Sequence, residues 1–312
     1  MKHLISSFLL LLTITIISCD RVENPYPPVN PNAGDTSACD TAVFPNVTTH
    51  IRKVLVEDFT GHTCGNCPKA AAELKYCDSV YSGQIIPLAI HVGYFAEPCP
   101  PHALPAGAPA GSFPADFRTT VGDDYNATFQ AGLLGLPQGM INRKNFDATN
   151  YTHFVNYPSH GWTNFVSTFI NDPPVADIHI VNDFNASTNT VCTSIKTEFL
   201  TNMNGNYKLV VLLTQDSITA WQVDYRLSPP ADIVQNYVHR HVLRDAVNSA
   251  WGDDVANGAV TNGQSVIKKY AYNIPADFKG IPTHTEHMHI VAYIYDAATY
   301  EVLQAEEAKV MP

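Results

Sequence analysis

The sequence predicts two domains of different class, an α/β domain followed by an all-β antiparallel sandwich. Residues 54–92 have the order strand, helix, strand, which is typical of an α/β fold. After residue 173 the pattern changes to short strands separated by clusters of Asn, Gly and Pro. With 45% hydrophobic and 15% charged residues, the chain of 312 residues is globular and long enough for two domains.

The N-terminal segment predicts a signal peptide, a lipid anchor and a tether. An apolar run at residues 4–17 is too short for a membrane-spanning helix and is typical of an export signal. It ends before Cys19, as in a bacterial lipobox, so we predict that residues 1–18 are removed and that Cys19 is lipidated. The alternative is an ordinary secretory signal with an incidental cysteine. Residues 19–44, rich in Pro and Asn, form the predicted anchor and tether.

The formal net charge of -11 argues against a nucleic-acid partner. Nucleic-acid binding relies on clustered Lys and Arg, and the sequence shows no such cluster. The expected partners are the membrane, through lipidated Cys19, and the thiols or disulfides of exported proteins. The sequence does not predict an oligomeric state.

The first domain is predicted over residues 45–173. A helix over residues 70–81 has Ala, Leu and Tyr at helical spacing, and residues 85–92 form an apolar run that suits a buried parallel strand. The loop at residues 93–111 is rich in Pro, Ala and Gly, and a loop of that length usually serves or covers a site. A second helix is predicted over residues 162–171.

The second domain is predicted over residues 174–312. A series of short strands without long helices between them is typical of an antiparallel β-sandwich. A hairpin turn at residues 296–299 joins the last two strands. The predicted strands lie at residues 175–181, 191–200, 207–214, 266–272, 289–295 and 300–305.

The candidate reactive site is Cys64-Gly65-Asn66-Cys67, which follows the apolar strand at residues 54–60. Two cysteines with this spacing at a strand-to-helix junction are typical of thiol–disulfide chemistry. The free N–H groups at the start of the following helix favour a thiolate on Cys64. Cys64 is therefore the predicted nucleophile, and Cys67 is the predicted resolving cysteine.

Asp58 is the predicted proton acceptor of this site. A desolvated carboxylate has a raised pKa and can take the proton that Cys67 loses when it attacks a mixed disulfide. Alternatively, Asp58 faces solvent or caps a turn. Glu57 is expected on the opposite side of the strand because side chains alternate. A protonated His62 would stabilise a thiolate, although a loop histidine is more often only solvated.

Other interpretations of the cysteines stay open. The pair is alternatively a structural disulfide, or a zinc site that recruits Cys77 or Cys99. Without Cys19 an even number of cysteines remains, which permits disulfides in an exported protein, and Cys77 with Cys99 is one pairing considered.

Two groups of histidines are considered as metal ligands. His239 and His241 would share a face if both lie on one strand, and His284, His287 and His289 lie near the last hairpin. Histidines that are exposed or packed in a core are commoner than ligands, so no metal site is predicted.

The first domain resembles the thioredoxin superfamily. The resemblance rests on the entry strand, the cysteine pair, Asp58 before Cys64, and Gly135-Leu136-Pro137 in the position of that family's cis-proline loop. It implies that Pro137 is cis and stacks against the pair, and that the backbone of Leu136 binds a substrate peptide. Pro68 departs from the family pattern, so the helix is expected to begin at Pro68, with Asn66 or Cys67 as its cap.

The full layout is similar to the outer-membrane-protein-28-related lipoproteins of Gram-negative bacteria. The matching features are the lipobox, the tether, the cysteine motif, the cis-proline loop and a sandwich with Tyr237-x-His239-x-His241-x-x-Arg244. The resemblance implies a lipoprotein anchored to the outer membrane, on its periplasmic or surface face. It also implies a thioredoxin-like domain followed by a β-sandwich.

The leading hypothesis is a membrane-tethered thiol–disulfide oxidoreductase that acts on exported proteins and needs no dissociable cofactor. In this hypothesis the nucleophile is Cys64, the resolving cysteine is Cys67 and the proton acceptor is Asp58. The substrate binds to Leu136 and Pro137. The hypothesis requires a Cys64 that solvent can reach, at the head of a helix and beside a cis Pro137. The alternative is a surface binding or adhesive lipoprotein whose cysteine pair is structural.

Overall fold

The fold is known from a computed structural model that describes residues 30–133, 135–145, 154–156 and 161–311. The predicted signal peptide and the predicted lipidation site Cys19 lie outside the described residues. No helix within the described ranges is long and apolar enough to cross a membrane.

Strands dominate the described part of the chain. Its α-helices are α1 (Cys67–Val80), α2 (Thr120–Phe129) and α3 (Gly161–Ser167). Short 3-10 helices lie at Thr36–Ala38, Tyr94–Ala96, Ala131–Leu133 and Thr285–His287. The strands are β1 (Val54–Thr60), β2 (Ile85–His91), β3 (Gln138–Ile141), β4 (Phe154–Asn156), β5 (Ala176–Asn185), β6 (Thr190–Phe199), β7 (Met203–Gln215), β8 (Ile218–Val223), β9 (Ile233–His239), β10 (Val242–Ala246), β11 (Asp253–Val260), β12 (Ser265–Asn273), β13 (Asp277–Phe278), β14 (Ile281–Pro282), β15 (Met288–Asp296) and β16 (Val302–Lys309).

One large sheet joins strands from both predicted domains. Its order across the described residues is β16-β15-β7-β10-β2-β1-β3-β4, and β11 also pairs with β7. β1 and β2 are parallel because α1 connects them, whereas β3 is antiparallel to β1. β10 joins β2 in parallel at the pair Val242 and Ala89, and the N–H of Ala89 donates to the carbonyl of His241 at 2.8 Å. The sheet thus continues across residue 173, the predicted domain boundary.

A second sheet of β12, β6 and β5 covers part of the large sheet. Apolar side chains of this smaller sheet, such as Ile178 and Ile195, form one buried cluster with Leu213 of β7 and Ile290 of β15. The β-rich fold with several sheets that the sequence predicts for the C-terminal half is therefore confirmed. The structure differs from the predicted separate sandwich in one respect. Four strands of the C-terminal half extend the sheet of β1 and β2, namely β7, β10, β15 and β16.

The two faces of β1 point into different cores. Leu55 and Phe59 belong to a buried cluster that also contains Leu212 and Tyr293 from the C-terminal half. Val54 and Val56 face α1 and α3 and contact the cluster of Leu74 and Trp162. Side chains alternate along a strand, so Asp58 lies on the α1 face and Glu57 on the other.

Helix α1 begins at Cys67 with Asn66 as its N-cap, and Pro68 lies in its first turn. The sequence expectation of a start at Pro68 was therefore one residue late. Asn66 occupies the N-cap position, but its side chain forms no capping hydrogen bond. Proline is tolerated in the first turn because the first N–H groups of a helix have no partner within it. α3 ends at Ser167, before the predicted end at residue 171, and turn bonds such as Phe169 N to Val166 O continue beyond it.

Part of the predicted tether is attached to the C-terminal half. Gly34 N donates to the carbonyl of Ala271 at 2.8 Å, and Asn273 N donates to the carbonyl of Asn32 at 2.8 Å. A disulfide between Cys39 and Cys192 fixes the same segment to β6. Residues 30–39 are therefore held against the smaller sheet.

Candidate functional site

The cysteine motif forms a short loop between β1 and α1. Cys64 and Cys67 are joined in a disulfide. The N–H of Cys64 donates to the carbonyl of Gly61 at 3.1 Å, and the N–H of Cys67 donates to the carbonyl of Cys64 at 3.2 Å. The pair stands at the N-terminus of α1, as the sequence predicts. The loop brings both sulfurs to the positive end of the helix.

Both sulfur-bearing side chains are buried, Cys64 being 3% and Cys67 2% exposed. The expectation that solvent reaches Cys64 is therefore wrong. The reason is a segment of the C-terminal half, the end of β8 and the residues that follow it, which lies across the cysteine loop. Nothing in the local pattern of residues 54–92 indicates such a cover.

We define the cover as residues 222–226. Its backbone runs along the loop: Val223 N donates to the carbonyl of His62 at 2.9 Å, and Tyr225 N donates to the carbonyl of Gly65 at 2.8 Å. The amide of Gln222 donates to the carbonyl of Cys64 at 3.1 Å. These bonds satisfy loop carbonyls that would otherwise face solvent or a bound peptide.

Two glycines of the loop permit the close approach of other segments. A Cβ on Gly65 would overlap the ring of Tyr225. A Cβ on Gly61 would overlap the backbone of Phe95, whose carbonyl accepts from Thr63 N at 3.0 Å. The loop is thus enclosed by the cover on one side and by the 3-10 helix Tyr94–Ala96 on the other. The sequence prediction that residues 93–111 serve or cover a site agrees with this second contact.

Asp58 is buried on the same side of the sheet as α1, with 2% of its surface exposed. Burial raises the pKa of its carboxyl from 3.8 to about 8. No hydrogen-bond partner for its Oδ1 exists among the described residues. The alternatives in which Asp58 faces solvent or caps a turn are therefore wrong.

A cavity of about 590 Å³ lies beside Asp58 and Cys67. Asp58, Cys67 and Pro68 line it together, and its walls are α1, β2 and β9. Basic side chains at Lys75, Arg226 and Arg240 also line it. Asp58 and Cys67 therefore line the same cavity.

Glu57 lies on the opposite face, as expected. Its carboxylate accepts from Arg143 Nε at 2.8 Å and from Arg143 Nη2 at 2.6 Å. Both side chains are fully buried, and the guanidinium stands 4.4 Å from the ring centre of Tyr125. This bidentate pair anchors β1 to the loop after β3 and has no contact with the cysteine cavity.

His62 is buried beside the loop and not solvated. Its Nε2 donates to the carbonyl of Glu97 at 3.1 Å, and its ring centre lies 5.6 Å from that of Phe113. Burial lowers the pKa of His62 to about 4. His62 is therefore neutral near pH 7 and offers no positive charge to a thiolate.

Pro137 is preceded by a cis peptide bond, as the thioredoxin resemblance implies. It is followed directly by Gln138, which pairs with Phe59 of β1. The Leu136-Pro137 segment therefore lies next to the end of β1, from which the cysteine loop departs. The substrate-binding role of Leu136 and Pro137 stays a prediction.

The other cysteines do not pair as considered. Cys39 bonds to Cys192, and Cys77 and Cys99 are free and buried. Cys77 packs beneath α1 in the cluster with α3, and burial raises the pKa of its thiol to about 12. Cys99 belongs to a separate cluster with Phe113. The Cys77–Cys99 bridge is therefore wrong because the two thiols are directed into different cores.

The histidine groups do not form a metal site in the described part of the chain. β9 ends at His239, and His241 has a φ of 53° in the turn before β10, so the two do not share a strand face. His239 instead packs against His91 and Phe117 at ring-centre distances of 5.6 and 4.9 Å. Burial lowers the pKa of His239 to about 3.

The residues of the site that the sequence did not reveal are Gln222, Val223 and Tyr225. Gln222 and Val223 end β8 and Tyr225 follows it, and neither β8 nor the next strand, β9, was predicted from the sequence. The available signal was Gly65 between the cysteines, because a residue without a Cβ often marks a close approach. That signal does not identify which distant segment approaches.

A family model, described as outer membrane protein Omp28, matches residues 123–312. The match covers more than half of the chain and begins after the cysteine pair. No curated protein sequence matches the chain.

Three of the solved structures that match the chain are bacterial proteins. HBP35 of Porphyromonas gingivalis has a TM-score of 0.57 at 12% identity, over 84% of this chain and 76% of that chain. A protein of Agrobacterium tumefaciens has a TM-score of 0.46 at 16% identity, over 84% and 96% of the two chains. A domain of the outer membrane lipoprotein Omp28 from Porphyromonas gingivalis has a TM-score of 0.30 at 21% identity, over 45% and 90%. At these identities the likeness to HBP35 concerns the fold alone.

Proposed function

The chain belongs to the Omp28 family of outer membrane proteins, and from this premise we propose that its cysteine pair performs thiol–disulfide exchange with exported proteins. The protein is accordingly associated with the outer membrane of the cell envelope. The proposal includes a lipid anchor at Cys19 and a thioredoxin-like arrangement of residues 45–173.

The observation that carries the proposal is the buried carboxyl of Asp58. A disulfide that only staples a loop needs no ionisable group beside it, and a buried carboxyl without a full set of partners costs stability. Asp58 nonetheless shares its cavity with Cys67, and its pKa is raised to about 8. A carboxyl of this pKa exchanges a proton readily near neutral pH, as a resolving cysteine requires.

The exchange balances as follows. A thiolate of the exported protein attacks Sγ of Cys64, the bond from Cys64 to Cys67 breaks, and Cys67 leaves as a thiolate that takes the proton of Asp58. A second thiolate of the exported protein then breaks the mixed disulfide and releases Cys64. The exported protein loses two electrons to the cysteine pair and gains a disulfide. In the reverse direction, Asp58 accepts the proton of Cys67 and the exported disulfide is reduced.

The backbone bonds of the cover support a position for the substrate at the cysteine loop. Residues 222–226 occupy the carbonyls of His62, Cys64 and Gly65, which an extended substrate peptide would use. Leu136 and Pro137, at the end of β1, offer the complementary edge. Exchange therefore requires the Tyr225 end of the cover to move away from the loop.

A second candidate function is supported by the same cover. Cys64 is only 3% exposed, which suits a binding or adhesive lipoprotein in which the disulfide stabilises the loop. In that case the pair would never be reduced during function. The burial of Cys64 favours this candidate, and the buried carboxyl of Asp58, whose Oδ1 lacks a partner among the described residues, favours exchange.

An insulin-reduction assay with dithiothreitol as electron donor separates the two functions. Exchange predicts that the wild type accelerates precipitation of the insulin chains and that Cys64→Ser falls to the rate without protein. The matched control is the double variant Cys39→Ser with Cys192→Ser, which removes the distant disulfide and retains activity. Equal rates for the wild type and Cys64→Ser would favour the binding function and remove the proposal.

A further inference from the structure

A second cavity, of about 410 Å³, lies between the N-terminus of α2 and β10. It is separate from the cysteine cavity, with which it shares no lining residue. Its wall on one side is formed by residues 116–121 and on the other by residues 244–250, and residues 278 and 279 close one end. Arg244 is the basic residue on the strand side of this cavity.

Arg244 is buried without a carboxylate partner. It is 3% exposed, and within the described residues it forms no salt bridge. Its Nη2 makes long contacts of 3.3 and 3.4 Å to the carbonyls of Phe278 and Ile281, and its Nε has no partner in the described part of the chain. Burial lowers its pKa to about 10, so the guanidinium is still charged near pH 7. Asp277 raises this pKa in part, and the guanidinium carbon lies 4.9 Å from the ring centre of Phe278. No carboxylate among the described residues bonds to the guanidinium directly, and a buried cation is stabilised when an anion accompanies it.

The N-terminus of α2 faces the same cavity. Thr119 caps the helix, and its Oγ1 accepts from Gly122 N at 2.9 Å. The N–H groups of Thr120 and Val121 bond to no acceptor among the described residues, and both residues line the cavity. The helix has ten residues, so its N-terminus adds a partial positive charge at the position of these donors.

The acidic residues at this cavity do not neutralise Arg244. Asp245 accepts from the Tyr272 hydroxyl at 2.6 Å and is turned toward residues 30–32. Asp116 is paired with Arg118 at 2.9 Å and with Lys279 at 3.2 Å. Asp124, one turn along α2, has a pKa raised by burial and forms no salt bridge within the described ranges. Arg244 and the helix N-terminus are thus left facing one space.

We propose that this cavity binds the carboxylate of a small organic acid, with Arg244 as the deep cationic contact. The guanidinium N–H groups that the carbonyls of Phe278 and Ile281 leave free would donate to the carboxylate oxygens. The side chains of Phe117, Val121 and Phe278 provide apolar walls for the rest of the ligand. The ligand class is therefore an acid with a short apolar body. This site is independent of the cysteine pair.

Calorimetric titration with phenylacetate as the probe tests the site, and phenylacetamide is the neutral counterpart of the same shape. We expect the wild type to bind phenylacetate at least about tenfold more tightly than the amide, because only the acid pairs with the guanidinium. Equal affinities for the two probes would overturn the proposal. This comparison needs only the wild-type protein.

Two variants locate the binding. Arg244→Met is expected to lose the preference for the acid, whereas Arg240→Gln, an exposed arginine at the cysteine cavity, is expected to keep it. The unfolding temperature provides a second readout. If Arg244→Met retains the wild-type preference for phenylacetate, the acid binds elsewhere and the assignment fails. If Arg244→Met does not fold, two measurements on the wild type decide whether the site binds a carboxylate. These are the ratio of its affinities for phenylacetate and phenylacetamide, and the displacement of phenylacetate by acetate.

Discussion

The backbone N–H of Tyr225 donates to the carbonyl of Gly65 at 2.8 Å, and the Tyr225 ring occupies the space of a Cβ at residue 65. One residue of the C-terminal half thereby contacts the residue between the two cysteines. Although 58% of Tyr225 is exposed, Cys64 below it is almost fully covered. Access to the disulfide is therefore linked to the position of one aromatic ring.

Removing this ring should make the disulfide more reactive. In Tyr225→Ala we expect dithiothreitol to reduce Cys64–Cys67 faster by on the order of tenfold, because thiol exchange depends on access to the attacked sulfur. The rate is measured by trapping free thiols with an alkylating reagent and counting them by mass spectrometry. Leu227→Ala, which removes an exposed apolar side chain of the same loop, is the control and should react like the wild type.

Adding a methyl group at residue 65 should displace the same ring. Gly65→Ala is expected to lower the free energy of unfolding by about 1–3 kcal/mol, as overpacking does. Urea unfolding measures this cost. In the Tyr225→Ala background the cost should largely disappear, since the two residues are in contact and couple. An unchanged cost in the double variant would mean that the clash lies elsewhere.

The buried carboxyl of Asp58 should make stability depend on pH. Its pKa is 3.8 in the unfolded reference and about 8 in the folded protein. Between these values the folded protein holds a proton that the unfolded chain releases, so stability falls as the pH rises, by up to about 1.4 kcal/mol per pH unit.

Asp58→Asn replaces the titrating carboxyl with an amide that does not titrate. The free energy of unfolding of this variant should therefore vary less with pH, and near pH 8 it should exceed that of the wild type. Urea unfolding at about pH 5 and about pH 8 tests the difference. Asp78→Asn, an exposed carboxylate that lines the same cavity, is the matched control. Parallel pH profiles for the wild type and Asp58→Asn would contradict a protonated Asp58.

The cysteine connectivity can be read directly. Peptide mapping without reduction should recover Cys39 linked to Cys192 and Cys64 linked to Cys67. An alkylating reagent should modify Cys77 and Cys99 only after unfolding, because both thiols are buried. Loss of the Cys39–Cys192 bridge should lower the free energy of unfolding by roughly 2–4 kcal/mol.

The sequence predicts those elements of the fold whose pattern is continuous. β1 and β2 are buried along their whole length, and both were recognised from their apolar residues, although Glu57 and Asp58 interrupt β1. β11 was not predicted because its sequence mixes Asp, Asn and Gly with its apolar residues. β9 was not predicted because exposed Gln and Asn interrupt its apolar residues. The joining of β10 to β2 was also missed, since parallel pairing between distant segments has no local signature.

The residues of the candidate site also fall into those that local sequence predicts and those that depend on distant segments. Cys64, Cys67 and Asp58 were identified because their chemistry is encoded within one short stretch of chain. The contact of Tyr225 with that stretch, and the bond of Cys39 to Cys192, depend on how remote segments are folded together. Cys77 and Cys99 were considered as a disulfide pair because the sequence does not show which distant segments lie close together.

The pairing of Ala89 on β2 with Val242 on β10 has a practical consequence for shortened versions of the protein. Truncation after residue 173 would uncover one side of β2 and leave its N–H and C=O groups free to recruit strands from neighbouring molecules. Such a fragment should self-associate in solution. The two halves of the intact chain should also melt together, in a single cooperative transition.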